Sequence, residues 1–241
     1  MKLLFIFIAP FFLPGNSSVT KPNGSGPISH EIWDGLLKNY VSPEGKVNYK
    51  GFLNERSKLK EYLDLLNSHP PLNCSNEEKL AYWINAYNAF TVELILQHYP
   101  LKSIRDIKGG TPWKIDFFSI GAEKFDLDKI EHEILRKQFN EPRIHFAINC
   151  ASVSCPVLRN EAYTAAKLNV QLEQQTKRYI NDTSQNLISE NEAKLSEIFN
   201  WFKGDFTKKG TLPDFINKYS GKKINPNASI SYLEYDWRLN E

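Results

Sequence analysis

Ile32, Trp33, Leu36 and Leu37 recur at the spacing of one helical face, which predicts a helix over 29–39. A turn at Ser42-Pro43-Glu44-Gly45 follows, and then a second amphipathic helix over 54–67, closed by Ser68-His69-Pro70-Pro71. In Ser75-Asn76-Glu77-Glu78 a serine stands where an N-cap belongs and an acid follows three residues later, the capping-box pattern. It opens the longest helix, from 77 to about 98. Apolar residues occupy nearly every face there, so this helix is expected at the centre, buried all round. Residues 103–107 read as a short helical segment broken by Gly109-Gly110. Residues 113–120 and 123–127 read as two strands around a Gly121-Ala122 turn. Asp128 opens a helix over 129–139. The run 143–149, bounded by Pro142 and a loop of small residues, reads as a strand. Further helices are expected over 165–180, 195–202 and 212–219, with an edge strand at 187–189.

The order of helices and hairpin-like strands is mixed rather than strictly βαβ. The expected class is therefore α+β: a helix-rich single domain over 29–241, around a small, mostly antiparallel sheet, with 29–75 as its helical N-terminal part. The start of the chain has a different character. Lys2 precedes an apolar run from Leu3 to Leu13, interrupted by Pro10 and followed by Pro14 and the small residues Gly15, Ser17 and Ser18. Too short to span a bilayer, this run reads as a signal peptide over 1–18, followed by a flexible linker over 19–28. The expectation is a periplasmic or secreted protein, with no membrane span once the signal is cleaved. Hydrophobic residues make up 41% of the chain and aromatics 13%, enough for a core and against disorder. With 30 basic and 28 acidic residues the net charge is only +2, which lacks the basic surplus of a nucleic-acid binder.

An oxidising compartment changes how the three cysteines are read. Cys150 and Cys155 share one segment and could bridge or stay as free thiols; Cys74 is far off in sequence. A nucleophilic thiol needs a nearby base and a group to orient that base. Cys150 is the first candidate because the predicted strand should stop there, with free loop amides as a potential oxyanion hole. Cys155 is the second because Pro156 could begin a helix that favours thiolate. His145 is the obvious base, yet along a strand it would lie about 17 Å from Cys150 and on the opposite face. His132, beside Glu131 on an amphipathic helix, competes with it.

Glu78 is a candidate orienting acid, although the capping box accounts for it completely. Asn85 and Asn88 lie on the same stripe of the long helix as Glu78. They could bind substrate beside the cysteine loop or form a buried polar network. Arg159 could grip a substrate carboxylate, and Trp83, Tyr87, Trp201, Tyr235 and Trp237 could line a groove or fill the core. His132, His145 and Glu131 match no standard ligand spacing, so no metal or other cofactor is expected.

Five segments in order carry a resemblance. They are 77–88 (Glu-Glu-Lys-Leu-Ala-Tyr-Trp-Ile-Asn-Ala-Tyr-Asn), 130–136 (Ile-Glu-His-Glu-Ile-Leu-Arg), 145–156 with both cysteines, 198–206 (Ile-Phe-Asn-Trp-Phe-Lys-Gly-Asp-Phe) and 235–240 (Tyr-Asp-Trp-Arg-Leu-Asn). Together they resemble the domain of unknown function 547 family, found in exported bacterial proteins and as a module of plant proteins. The resemblance invites comparison of the cysteine segment with papain-like or transglutaminase-like enzymes, an analogy of fold and not of established function. Two expectations follow. One is a cysteine-dependent amide or peptide hydrolase or acyltransferase acting on a peptide or other small substrate. The other is a non-catalytic binding or scaffold module with a structural disulfide.

Overall fold

The structure, a computed structural model, describes residues 26–241. The signal-peptide expectation for 1–18, and most of the linker after it, lie outside the described residues. Three helices come first: α1 (Glu31–Tyr40), α2 (Tyr49–Asn54) and α3 (Arg56–Ser68). They pack on α4 (Asn76–His98), whose first turn is closed by the reciprocal bonds that Ser75 and Glu78 were expected to make. The Glu78 amide donates to Ser75 Oγ at 3.2 Å, and the Ser75 amide donates to Glu78 Oε2 at 2.7 Å. Buried residues line every side of α4, so this helix is held by tertiary packing rather than by one amphipathic face.

The predicted hairpin is β1 (Phe118–Ile120) paired antiparallel with β2 (Glu123–Phe125), turning at Gly121, whose φ of 63° suits glycine. A π-helix, Lys129–Leu135, then runs into α5 (Arg136–Gln138). After α6 (Leu168–Ile180) come β3 (Leu187–Ile188), β4 (Glu192–Leu195), α7 (Ile198–Trp201), α8 (Lys203–Phe206), α9 (Leu212–Tyr219) and β5 (Ser229–Tyr232). The order β3-β4-β5 is antiparallel at the first pairing and parallel at the second. The class is therefore α+β, helix-rich with small and mostly antiparallel strand pairing. The strands form two separate small sheets instead of the one anticipated.

The run 143–149 is not a strand. Pro142 to Phe146 is a 3₁₀ helix, opened by the Glu141 carboxylate accepting from the Arg143 amide at 3.2 Å. The Ala147 amide then bonds back to the Ile144 carbonyl at 2.9 Å. A continuous apolar run satisfies a buried helical turn as well as a buried strand, and here the backbone bonds close locally. What lies beyond the turn is held by α4. Asn88 Nδ2 donates to the Ala147 carbonyl at 2.9 Å, and Asn88 Oδ1 accepts from the Asn149 amide at 2.8 Å. Asn85 does the same one turn earlier with the Tyr163 carbonyl and amide. Both asparagines are buried and clamp backbone groups, and neither is among the residues lining the cavity beside the cysteines.

Two hydrophobic clusters make the core. One surrounds α4 with α1–α3 and Ile130, Ile144 and Ile148; the other gathers Phe146, Tyr179, Leu195, Phe199, Phe206 and Ile216. Trp237 packs against both. Among the described residues no helix is long and apolar enough to cross a membrane.

Candidate functional site

The π-helix presents Glu131 and His132 to one space. An i→i+5 winding holds more residues per turn than an α-helix, so successive side chains diverge less, and such turns recur at functional sites. Facing them is the cysteine loop, and the Asn149 side chain holds that loop shut. Asn149 Nδ2 donates to the Pro156 carbonyl at 2.8 Å, while Oδ1 accepts from the Ala151 amide at 2.9 Å and from Asn240 Nδ2 at 3.2 Å. Ala151 sits at φ 62°, a left-handed conformation that turns the chain sharply just after Cys150. Residues 235–240 strap the loop from outside. The Val153 amide donates to the Arg238 carbonyl at 2.8 Å, and the Asp236 amide to Ser154 Oγ at 3.0 Å.

Between these elements lies a cavity of about 190 Å³ where the two core clusters meet. Cys150, Cys155, His145, His132, Glu131 and Tyr87 are on its wall, and Trp113, Trp201, Tyr235 and Trp237 form an aromatic side. Trp201 is 46% exposed and rests on Tyr235 and Trp237, so it forms a rim of the cavity.

All three cysteines are free thiols. The Cys150 sulfur lies 3.0 Å from Ser152 Oγ and 3.3 Å from the Tyr235 hydroxyl. Burial pushes this thiol up, but hydrogen bonds from Cys155, Ser152 and Tyr235 outweigh burial and bring it down to about 7. Cys155 goes the other way. It is 6% exposed, and burial, with the shared bond to Cys150, drives its thiol well above the ordinary range. One negative charge fits on the pair, and Cys150 holds it. Most loop amides are engaged, and among 150–155 the Ser152 amide alone has no hydrogen-bond partner. The Cys150 amide donates to Cys155 Sγ at 2.8 Å, Ala151 is engaged by Asn149, and Val153, Ser154 and Cys155 bond backbone carbonyls.

His145 is 3% exposed, stacked on Phe202 at 4.0 Å between ring centres. Its Nε2 lies 2.9 Å from Asp205 Oδ2, which also accepts from Arg136 Nε at 2.6 Å. The His145 and Arg136 bonds hold the Asp205 carboxyl below the usual carboxylate range. Burial lowers His145 to about 4 against the pull of Asp205. The pair is thus a carboxylate and a neutral imidazole, with the compensating charge on Arg136. Nε2 then carries the proton, and Nδ1 is left as a buried lone pair without a partner. His132 differs: its Nδ1 accepts from Arg136 at 3.0 Å and its Nε2 faces Asp128 at 3.5 Å. Of the two histidines, His145 has a nitrogen to spare. The separation expected for a strand shortens because a 3₁₀ turn compresses the chain, and both residues line one cavity.

Burial raises the Glu131 carboxyl to about 7, helped by the nearby Cys150 charge and opposed by the Tyr87 hydroxyl, which donates to Oε2 at 3.2 Å. Glu131 stands where Glu78 was sought. Glu78 is at the cap of α4, on the wall of a different cavity with His30, His69 and Cys74. Arg159 is also elsewhere, bonded to Glu161 at 2.5 Å and to Gln174 at 2.8 Å. Asp205 and Ser152 escaped the reading of the sequence. Asp205 was nonetheless inside the quoted segment 198–206, where its only signal was an acid in an aromatic run.

Residues 71–180 match the family model described as "Protein of unknown function, DUF547". That span holds α4, the π-helix, the cysteine loop and α6, and stops short of Asp205 and Tyr235. No curated protein and no solved structure matches the chain.

Proposed function

Taking the chain as a member of the DUF547 family through its residues 71–180, we propose that it is a cysteine-dependent acyl-transfer enzyme, hydrolysing or transferring an amide- or peptide-type acyl group. We place its work outside the cytoplasm, after loss of residues 1–18. The observation that carries the reading is the Cys150 sulfur: unbridged, on an aromatic cavity wall, and ringed by donors that favour thiolate near neutral pH.

In this reading Cys150 attacks the acyl carbon and forms the carbon–sulfur bond. Cys150 reacts as the thiolate that Ser152, Tyr235 and Cys155 favour, and His145, kept neutral by burial and oriented by Asp205, is on the same cavity wall. Glu131, a carboxylic acid that exchanges its proton near pH 7, hands one to the departing amine or alcohol and then draws one from the water that cleaves the thioester. Tyr235 and Ser152 hydroxyls stand beside the sulfur and can donate to the developing oxyanion. No Lys or Arg lines the cavity, so the acyl group it suits is small and free of carboxylates.

A thiol map tests this: alkylation of the reduced full chain at several pH values, read by peptide mass. Fast labelling of Cys150 with a midpoint near pH 7, raised in Tyr235→Phe, is the expected result. Labelling of Cys150 no faster than of Cys74, with the ordinary thiol pH profile, would sink the enzyme reading. It would leave the alternative, a non-catalytic binding or scaffold module.

A further inference from the structure

In the acyl reading Cys155 only favours the Cys150 thiolate and takes no part in bond making, although it lies on the same cavity wall. Cys155 is not merely nearby. The amide of Cys150 donates to Cys155 Sγ at 2.8 Å, and the Cys155 amide closes a turn on the Ser152 carbonyl at 3.1 Å. The left-handed Ala151 and the Asn149 clasp onto Pro156 bend the intervening residues so that both sulfurs face one space. The two thiols are also unequal in the way a dithiol couple requires: Cys150 is half-buried and acidic, Cys155 buried and protonated.

We propose that Cys150 and Cys155 are a dithiol–disulfide couple that exchanges with a small, uncharged disulfide held in the aromatic cavity. The Cys150 thiolate attacks one sulfur of the substrate, forming a mixed disulfide and releasing the first thiolate. Cys155 then loses its proton to that thiolate, attacks Cys150 Sγ, and expels the second thiolate. A Cys150–Cys155 bridge and two substrate thiols result, and two electrons have passed from the protein dithiol to the substrate disulfide. The reverse sequence, with an excess of thiol, restores the dithiol. The charge of the substrate follows from the cavity. Asp128 and Glu131 are on its wall and no cation is, so a disulfide bearing carboxylates is disfavoured. The inference shares Cys150 with the acyl reading but needs no acyl chemistry.

The test mixes the reduced full chain with bis(2-hydroxyethyl) disulfide, quenches in acid, and follows intact mass and peptide maps. Wild type should pass through a transient adduct at Cys150 to a chain two hydrogens lighter, bridged from Cys150 to Cys155, with two 2-mercaptoethanol released per bridge. Cys155→Ser should stop at the Cys150 adduct. Oxidised glutathione should react at least tenfold more slowly, relative to the urea-unfolded chain with each reagent. A wild-type adduct that persists at Cys150, a first adduct at Cys155, or failure to react while the unfolded chain does, overturns the couple. The wild-type time course decides this even where the variant does not fold. The acyl reading is scored separately, by thioester formation at Cys150 when the reduced wild type meets p-nitrophenyl acetate. Bridge without thioester, or thioester without bridge, leaves only one of the two standing.

Discussion

Glu131→Gln puts the electrostatics of the cavity to a quantitative test. In the folded chain Glu131 releases its proton near pH 7, against an ordinary value of 4.5. A raised acid is favoured in its protonated form by folding. Its contribution is therefore whole at pH values below 4.5, is lost as pH rises from 4.5 to 7, and is constant beyond. The shift corresponds to a cost of about 3 kcal/mol once ionisation in the folded state is complete. Between pH 5.5 and pH 8.5 the wild type should lose about 2 kcal/mol from this group alone. Glutamine does not titrate and keeps an oxygen for the Tyr87 hydroxyl. The stability difference, variant minus wild type, should therefore move by about 2 kcal/mol in the variant's favour across that interval, read from urea unfolding, or by about 4–8 °C in Tm. The same substitution removes a negative charge beside Cys150, so the midpoint of its alkylation should fall. Stability profiles that stay parallel within about 0.5 kcal/mol would mean that Glu131 is solvated and ionised throughout, and the proton-exchange role would go with it.

Asn88→Ala leaves the Ala147 carbonyl and the Asn149 amide unpaired in the core and should cost about 2–5 kcal/mol in urea unfolding; a loss below about 1 kcal/mol would contradict the clamp. Tyr235→Phe removes a donor to the Cys150 sulfur, so its alkylation midpoint should rise above 7; an unmoved midpoint would assign the acidity to Ser152 and Cys155 alone. Trp201→Ala, at a rim position 46% exposed, should change stability by less than about 1 kcal/mol and slow Cys150 acylation by p-nitrophenyl esters several-fold. A stability loss above about 3 kcal/mol would make Trp201 a core residue instead.

Local signals were the ones the sequence made legible. The Ser75–Glu78 cap sits where the pattern put it, and α9 is bounded as expected at 212 and 219, because each start is written within four residues. The run 143–149 misled because its apolar residues are buried on all sides, and periodicity does not distinguish a strand from a turn under those conditions. At the site, Cys150, Cys155, His145, His132 and Glu131 could be singled out by chemical type, and all five reach one cavity. Glu78 could be singled out in the same way, yet its carboxylate is used up by the cap of its own helix. Partners were the harder part. Asp205 meets His145 across 60 residues, and Tyr235 meets Cys150 across 85; nothing in the spacing of the chain announces such pairs.

That last separation has a consequence for the order in which the protein becomes competent. Cys150 leaves the ribosome some eighty residues ahead of the strap that brings Tyr235 to its sulfur and pins Val153 to Arg238. Until residues 235–240 dock, the thiol lacks one of the donors that make it acidic, and it behaves more nearly as an ordinary cysteine. The thiol thus reaches its folded acidity only once the rest of the chain has arrived.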